Sequence, residues 1–336
     1  MKVIDAFAVT KLIILSTAMV SCLSAQSQEN VSGEFSGVEE VIVTATKRAE
    51  SKQDIPIAIS VMGSEEITNS SSNNIKDIVG LIPNMTFEAG NNSATADISI
   101  RGIYNQVQAG AIGYESGLSV YVDGVSTGNQ FNANQNLGEI ERVEVLRGPQ
   151  GTLFGKNSIA GAINIITKKP TNEFAGRASF ELGDRSLQHF QGNLNIPFSD
   201  DLSLRISMGD RSKDGFIDNT TLGEEDYAGT IDESSGRIQI RWTPSDNTTI
   251  DLSSDYLEVD LIDYVYEYIE GSEQYAGMPP AGSPLTAMSF DGVKYTQTNG
   301  FANTTSKELS GTSLSIEHTL GNGFTITSLT GMRDDE

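Results

Sequence analysis

"ERVEVLRGPQGTLFGKNSIAGAINIITKKP", running from Glu141 to Pro170, decides how the rest of the chain is read. It combines glycines, a central lysine and β-branched residues, the ingredients of a phosphate-binding loop. Such a loop needs G-x-x-x-x-G-K followed by Ser or Thr, so that successive amides converge on phosphate and a hydroxyl reaches magnesium. Here only three residues separate Gly151 from Gly155, Gly148 lies too far back, and Asn157 follows Lys156. The glycines are therefore turn residues. Gly148-Pro149 and Gly151 permit tight turns, Gly155 ends one, and Gly161 starts a strand. Residues 143–146 and 162–166 become two strands, and Lys156 an ordinary turn residue.

Upstream, the same grammar continues. Residues 55–62 read as a strand, and Ser64 is placed to cap a short helix with Glu65 and Glu66 in its first turn. Residues 74–81 have helical spacing and stop before Pro83. Residues 98–102, ending in Arg101-Gly102, and 118–122, ending in an Asp123-Gly124 turn, are further strands. These pieces make a small mixed α/β unit that ends near Pro170. Before it, residues 26–37 are polar and acidic without periodicity, a disordered linker. A brief β-branched run then breaks in: Glu40, Val41, Ile42, Val43, Thr44, Ala45, Thr46. With linker on either side it has no local pairing partner, so its backbone hydrogen bonds are expected from another molecule or from water.

Past Pro170 the pattern changes to strict alternation. Phe180 and Leu182, Leu194 and Ile196, Leu204 and Ile206, Ile238 and Ile240, Ile250 and Leu252, Leu314 and Ile316, and Phe324 and Ile326 are each separated by a polar residue. Seven segments of this kind fit a transmembrane β-barrel. A soluble sandwich also alternates, and the connections decide between them. Short turns (197–201, 244–247, 321–323) alternate with long ones (211–233, 260–306), as in outer-membrane barrels whose short turns face the periplasm. Seven strands do not close such a barrel, and the chain stops at Glu336 within a strand pattern, so a fragment is expected.

The two ends and the composition agree with export. Lys2 and Lys11, a short apolar core from Leu12 to Val20, and Ser24-Ala25 form a secretory signal with cleavage expected after Ala25. The sole cysteine, Cys22, lies inside it and is expected to leave with it rather than carry a lipid, so the mature chain holds neither disulfide nor thiolate metal site. A net charge of −23 excludes a nucleic-acid surface. His189 and His318 are the only histidines, and neither has a metal-ligand neighbour at suitable spacing. No cofactor is expected.

The run from Glu141 to Gly155, followed by Gly161 to Thr167, resembles the plug-domain motif of TonB-dependent outer-membrane receptors. Glu40 to Ala45 resembles that family's TonB box, and residues 54–61 and 98–102 match plug strands in the family's order. The resemblance implies an α+β plug followed by an antiparallel transmembrane β-barrel of 22 strands in the family, of which about the first seven are present. It divides the chain into signal peptide (1–25), linker with the box at about 39–46 (26–50), plug (51–170) and the start of the barrel (171–336).

The resemblance also implies a function. The protein would import a scarce nutrient across the outer membrane, a ferric siderophore or similar metal chelate, or else a non-iron organic substrate. Energy would come from the inner membrane through TonB, which Glu40 to Thr46 would join by strand addition. Arg101 and Arg147 are candidates for ion pairs that latch plug to barrel, with solvated lumen arginines as the alternative. Gly102, Gly148, Gly151, Gly155 and Gly161 would shape the plug turns. Tyr264, Tyr266 and Tyr268 share one face of an extracellular segment; they fit a strand extension or girdle better than a platform for an aromatic ligand.

Several rival classes lack support. No nucleophile elbow or paired carboxylate beside histidine points to an enzyme. Only residues 26–38 lie between signal and box, too few for the extra domain of signalling or glycan-importing relatives. A passive porin would carry neither box nor plug.

Overall fold

The computed structural model describes residues 41–48, 50–70, 72, 74–88, 97–104, 116–128, 139–219, 222–262, 296–297 and 304–335. The opening stretch forms β9 (Ile140–Arg147), a helical turn (Gly151–Phe154) and β10 (Gly161–Thr167), with β9 and β10 antiparallel. Gly161 has φ +156°, and a Cβ there would lie 2.2 Å from the Leu146 carbonyl oxygen, so only glycine fits this strand start.

β10 is central. It also pairs in parallel with β7 (Leu118–Val122), while β9 pairs with β3 (Ile59–Gly63) and β7 with β8 (Val125–Ser126), giving the order β3-β9-β10-β7-β8; β4 (Met85–Glu88), β5 (Asp97–Ile100) and β6 (Ile103–Tyr104) form a small sheet of their own. Both faces of this sheet are covered. Val143, Val145, Ile163 and Ile165 pack under α1 (Ser64–Asn69) and α2 (Ile75–Val79) through Ile67, Ile75 and Ile78. Leu146, Ala162 and Tyr121 pack on the opposite side with Phe154 and Ile59. Coverage of both faces explains why 162–166 reads as a nearly continuous apolar run instead of an alternating one.

Three local expectations are corrected. Strand β3 starts at Ile59, not Ile55: Pro56 has no amide for a ladder and biases its neighbour away from regular pairing. Ser64 is the first helical residue and not the cap; Gly63 occupies the cap position and supplies no side-chain bond. The second helix is shorter than residues 74–81, because Gly80 ends it before Pro83 is reached. Its start is well defined, as Asn74 and Asp77 form a reciprocal capping box.

The alternating half forms one antiparallel sheet of seven strands: β11 (Ala175–Leu182), β12 (Gln188–Ser199), β13 (Leu202–Lys213), β16 (Ile231–Ser245), β17 (Thr248–Ile262), β19 (Thr304–Thr319) and β20 (Thr325–Asp335). Each expected segment falls in its own strand, except that Phe324 lies one residue before β20 begins. β12–β13, β16–β17 and β19–β20 are joined tightly at one end, while the connection from Lys213 to Ile231 carries a small hairpin, β14 (Ile217–Asn219) and β15 (Glu224–Ala228), with β18 (Thr296–Gln297) parallel to β14. Tyr264, Tyr266 and Tyr268 lie outside the described residues.

The two faces of this sheet have inverted polarity. Phe180, Met208, Ile238, Trp242 and Leu314 are exposed on one face. Ser203, Arg205, Ser207, Gln239 and Ser253 are buried on the other, turned toward the plug. A water-soluble sandwich would bury the first set and expose the second. The observed order suits lipid outside and a polar lumen inside, with backbone groups paired strand to strand. Among the described residues no helix is long and apolar enough to cross a membrane, and crossing falls to the strands.

An arginine on the outer face should therefore be costly where one on a soluble sheet would be neutral. Ile240→Arg is expected to destabilise the inserted barrel by about 2–4 kcal/mol, and Ile240→Leu to be silent. The folded fraction in lipid, read from heat-modifiable gel mobility, checks it; equal folded fractions would contradict the lipid-facing assignment.

Candidate functional site

The β-branched run at Ile42–Val43 does have a local partner, contrary to the reading from sequence. It forms β1 and pairs antiparallel with β2 (Glu50–Ser51), Ile42 opposite Ser51 and Val43 opposite Glu50. The chain reverses between them because Lys47 adopts φ +64° and its amide donates to the Thr44 carbonyl at 2.9 Å. That left-handed lysine carries no glycine or Asn-Gly signal, so the hairpin is hidden in the sequence.

The segment is anchored on the plug by a buried carboxylate. Glu144, on β9, is fully buried and accepts from four groups. The Thr44 amide donates to Oε1 at 2.8 Å, the Thr44 hydroxyl lies 3.2 Å from both oxygens, Arg142 Nε donates to Oε1 at 2.8 Å, and Asn164 Nδ2 donates to Oε2 at 3.3 Å. An unpaired carboxylate in this position would be strongly unfavourable; the ion pair with Arg142 and the neutral donors give it the partners that burial demands. Val43 and Ala45 are completely buried on either side of Thr44, against Ile55, Leu146 and Phe154. Lys47 closes the anchor, its ammonium 4.1 Å from the Phe154 ring centre and 5.0 Å from that of Tyr121. Burial lowers the Lys47 pKa, an effect that the nearby Glu144 charge partly opposes. Val41 and Ile42 remain exposed, at 40 % and 45 %. The segment is thus half stored and half presented. Glu40 lies outside the described residues.

A second cluster joins plug to wall. Asp123, in the turn between β7 and β8, receives the Thr167 amide at 3.0 Å and the Thr167 hydroxyl at 2.6 Å. Lys169 Nζ lies 3.0 Å from its carboxylate and Arg237 of β16 3.5 Å. Beyond Arg237 the charges keep alternating: Asp255 of β17 at 3.8 Å, then Arg333 of β20 at 3.2 Å from Asp255. Burial would raise the Asp123 pKa, but Lys169, Arg237 and the two Thr167 donors outweigh it and hold the pKa below the ordinary value. Nearby, Glu139 of the plug pairs with Arg205 and accepts from Asn193 Nδ2 at 2.7 Å, and Gln239 donates to the Thr167 hydroxyl at 2.9 Å. Gly331 of β20 admits the plug closely: a Cβ there would lie 2.6 Å from Val125.

The arginines singled out from sequence sit elsewhere. Arg101 is exposed with φ +54°, and Arg147 reaches only the Pro83 carbonyl at 3.4 Å, its Nε buried without a partner. Among the described residues neither meets a carboxylate. The described plug–wall ion pairs run with the opposite sense, acids on the plug and arginines on the wall. Asp123 was legible as half of an Asp-Gly turn, but Glu139 carried no signal. Of the turn glycines, Gly102, Gly148 and Gly155 have φ of +78°, +102° and +75°, as their roles require, whereas Gly151 has open space around it and begins a helical turn.

The family model described as "TonB-dependent Receptor Plug Domain" matches residues 51–162. A pesticin receptor of Yersinia pestis is 29 % identical over 210 residues, covering 61 % of this chain and 30 % of that protein. A vitamin B12 transporter of Vibrio vulnificus is 25 % identical over 336 residues, covering 93 % of this chain and 52 % of its own length. Among solved structures, that of a ferric yersiniabactin uptake receptor from Yersinia pestis superposes with a TM-score of 0.69 at 21 % identity, over 83 % of this chain and 41 % of that one. The chain spans about a third of the length of the pesticin receptor it matches. The plug and the antiparallel barrel strands are those of this fold.

Asp123 dictates an acid response. Its folded pKa is depressed, so its contribution to stability is present above the unfolded value near 3.8 and is lost as pH falls through the folded value. Plug release, followed by protease nicking, should increase as pH drops below about 4. Asp123→Asn should raise nicking at pH 7 and flatten this acid dependence, and a variant whose pH profile matches wild type would remove Asp123 from the wall contact.

Proposed function

We propose that this chain, which carries the plug domain of the TonB-dependent receptors, takes part in energised import of a ferric siderophore or similar metal chelate across the outer membrane. The reading makes the exposed Val41–Ile42 end of the box the handle for TonB. A periplasmic partner strand would pair with it, backbone bonds giving affinity and side chains register. The outer membrane lacks a usable ion gradient, so force applied through that strand supplies the energy. The plug blocks the lumen at rest, and its polar seams to the wall are the parts of lowest cost to part.

The single observation that supports the proposal is the Ile42–Val43 segment docked through Thr44 on Glu144 of a plug whose Thr167 meets Gln239 of the polar wall. Iron chelates are favoured as cargo because relatives bear the names pesticin receptor and ferric yersiniabactin uptake receptor. The vitamin B12 transporter of Vibrio vulnificus, which aligns over 93 % of this chain, favours a second reading in which the cargo is a non-iron organic nutrient. Protein and lipid partners on either reading are TonB, the outer-membrane bilayer and the small-molecule ligand. Nucleic acid is no partner, and no catalytic chemistry is assigned.

Deleting residues 41–46 from the full-length receptor should abolish growth on the ferric chelate under iron limitation while leaving ligand binding at the cell surface intact. Growth on cobalamin as the limiting nutrient separates the two cargo classes. Undiminished uptake after the deletion would reject TonB-coupled import.

A further inference from the structure

We propose that Ser207 and Arg237, on the inner side of the wall, form a binding site for one small monovalent anion of chloride size. The inference goes beyond the transport reading and does not depend on it. The two residues stand directly opposite each other on β13 and β16. Both line a recess of about 70 Å³, which Gln191, Ser235 and Asp255 also border from the wall and Glu139 from the plug. Gly209 keeps the recess open, since a Cβ there would lie 2.9 Å from the Ser235 hydroxyl.

The recess carries unmet donors. Ser207 is 9 % exposed, and its hydroxyl is buried with no hydrogen-bond partner. Arg237 Nη1 is likewise buried with no hydrogen-bond acceptor. The guanidinium lies 3.5 Å from Asp123 and 3.8 Å from Asp255, ion-pair separations without hydrogen-bond geometry. Those carboxylates are already engaged. Asp123 pairs with Lys169 at 3.0 Å and Asp255 with Arg333 at 3.2 Å, while Glu139 pairs with Arg205. The seam thus sets four cations, Lys169, Arg205, Arg237 and Arg333, against three carboxylates, Asp123, Glu139 and Asp255. Arg237 is the surplus charge.

Water can satisfy a donor but leaves a surplus buried charge unmatched; an anion does both. The volume is that of roughly two water molecules, far below that of a metal chelate, so cargo does not fit. Glu139 and Asp255 on the rim make a second negative charge costly, which selects a monovalent ion over phosphate or sulfate. Bound there, the anion accepts from Ser207 and Arg237 and joins β13 to β16 beside Glu139 of the plug. Seating of the plug on this part of the wall then depends on the anion.

The full-length receptor in outer-membrane vesicles tests this. Chloride is raised from about 20 to about 200 mM with gluconate holding ionic strength constant. Protease nicking of the plug should slow by up to about tenfold, the limit that one-site linkage sets for a tenfold rise in ligand. Ser207→Ala deletes one donor and leaves every ion pair in place; it should reduce the slowing to about twofold or less. Arg237→Gln should abolish the chloride dependence, whatever its nicking rate in gluconate alone. Bromide gives a direct readout in crystals of the full-length receptor, as an anomalous-scattering peak between residues 207 and 237 that Arg237→Gln removes. Equal nicking rates in the two salts would overturn the anion-dependent seating. No bromide peak in the unsubstituted receptor would leave the recess to water and overturn the site. A peak that persists undiminished in both variants would mark an adventitious ion only, with the same result.

Discussion

A β-wall in lipid must turn its apolar side chains outward, and everything placed inside it then faces a polar surface. That constraint shapes this protein more than any single motif. Arg205, Arg237, Gln239 and Ser253 line the inner face, so a domain seated there has to match hydrogen bonds and charges instead of simply burying carbon. The plug answers with Glu139, Asp123 and Thr167 at its rim. Its hydrophobic core is kept private, between its own sheet and two short helices. The described contacts between the domain and its container are consequently mostly hydrogen bonds and ion pairs, with Val125 against Gly331 as an apolar exception.

Glu144 extends the same logic inward. A carboxylate buried this completely is tolerated because Arg142 neutralises it and the neutral donors of Thr44 and Asn164 complete its shell. Since one contributor is the backbone amide of a peripheral segment, the shell can lose a member and remain viable. Polar anchors of this kind hold a segment in one register, yet they can be exchanged for another acceptor without opening a void, which an apolar anchor cannot do. Val43 and Ala45 supply the apolar share of the docking, and both are small enough for their departure to cost little buried area.

Much of the architecture was legible in the sequence, and for definite reasons. The glycine spacing around Gly151 and Gly155 ruled out a phosphate loop, and the period-two alternation located all seven wall strands, because lipid on one face and polar lumen on the other enforce a strict pattern. What was missed depended on distant partners. The hairpin at Ile42–Val43 is closed by a left-handed lysine that packs on Phe154, a residue more than a hundred positions away, and no local rule announces it. Asp123 and Glu139, which meet arginines of the wall, were not singled out for a similar reason. Which arginines meet carboxylates follows from strand register across two domains, and register is invisible one residue at a time.

The inequality of strand lengths has its own consequence. On β17 the outward apolar residues, Ile250 and Leu252, sit beside the tight turn, while the strand runs on to Ile262. With the tilt usual for such walls, the stretch from Leu252 to Ile262 rises roughly 25 Å along the membrane normal. β16 and β19 climb beside it, in register to Asp260 and to Ile262 respectively. The described strands therefore run on past their apolar outer band, and several side chains that share its face further up, Ser254, Glu258 and Asp260, are polar ones suited to water instead of lipid.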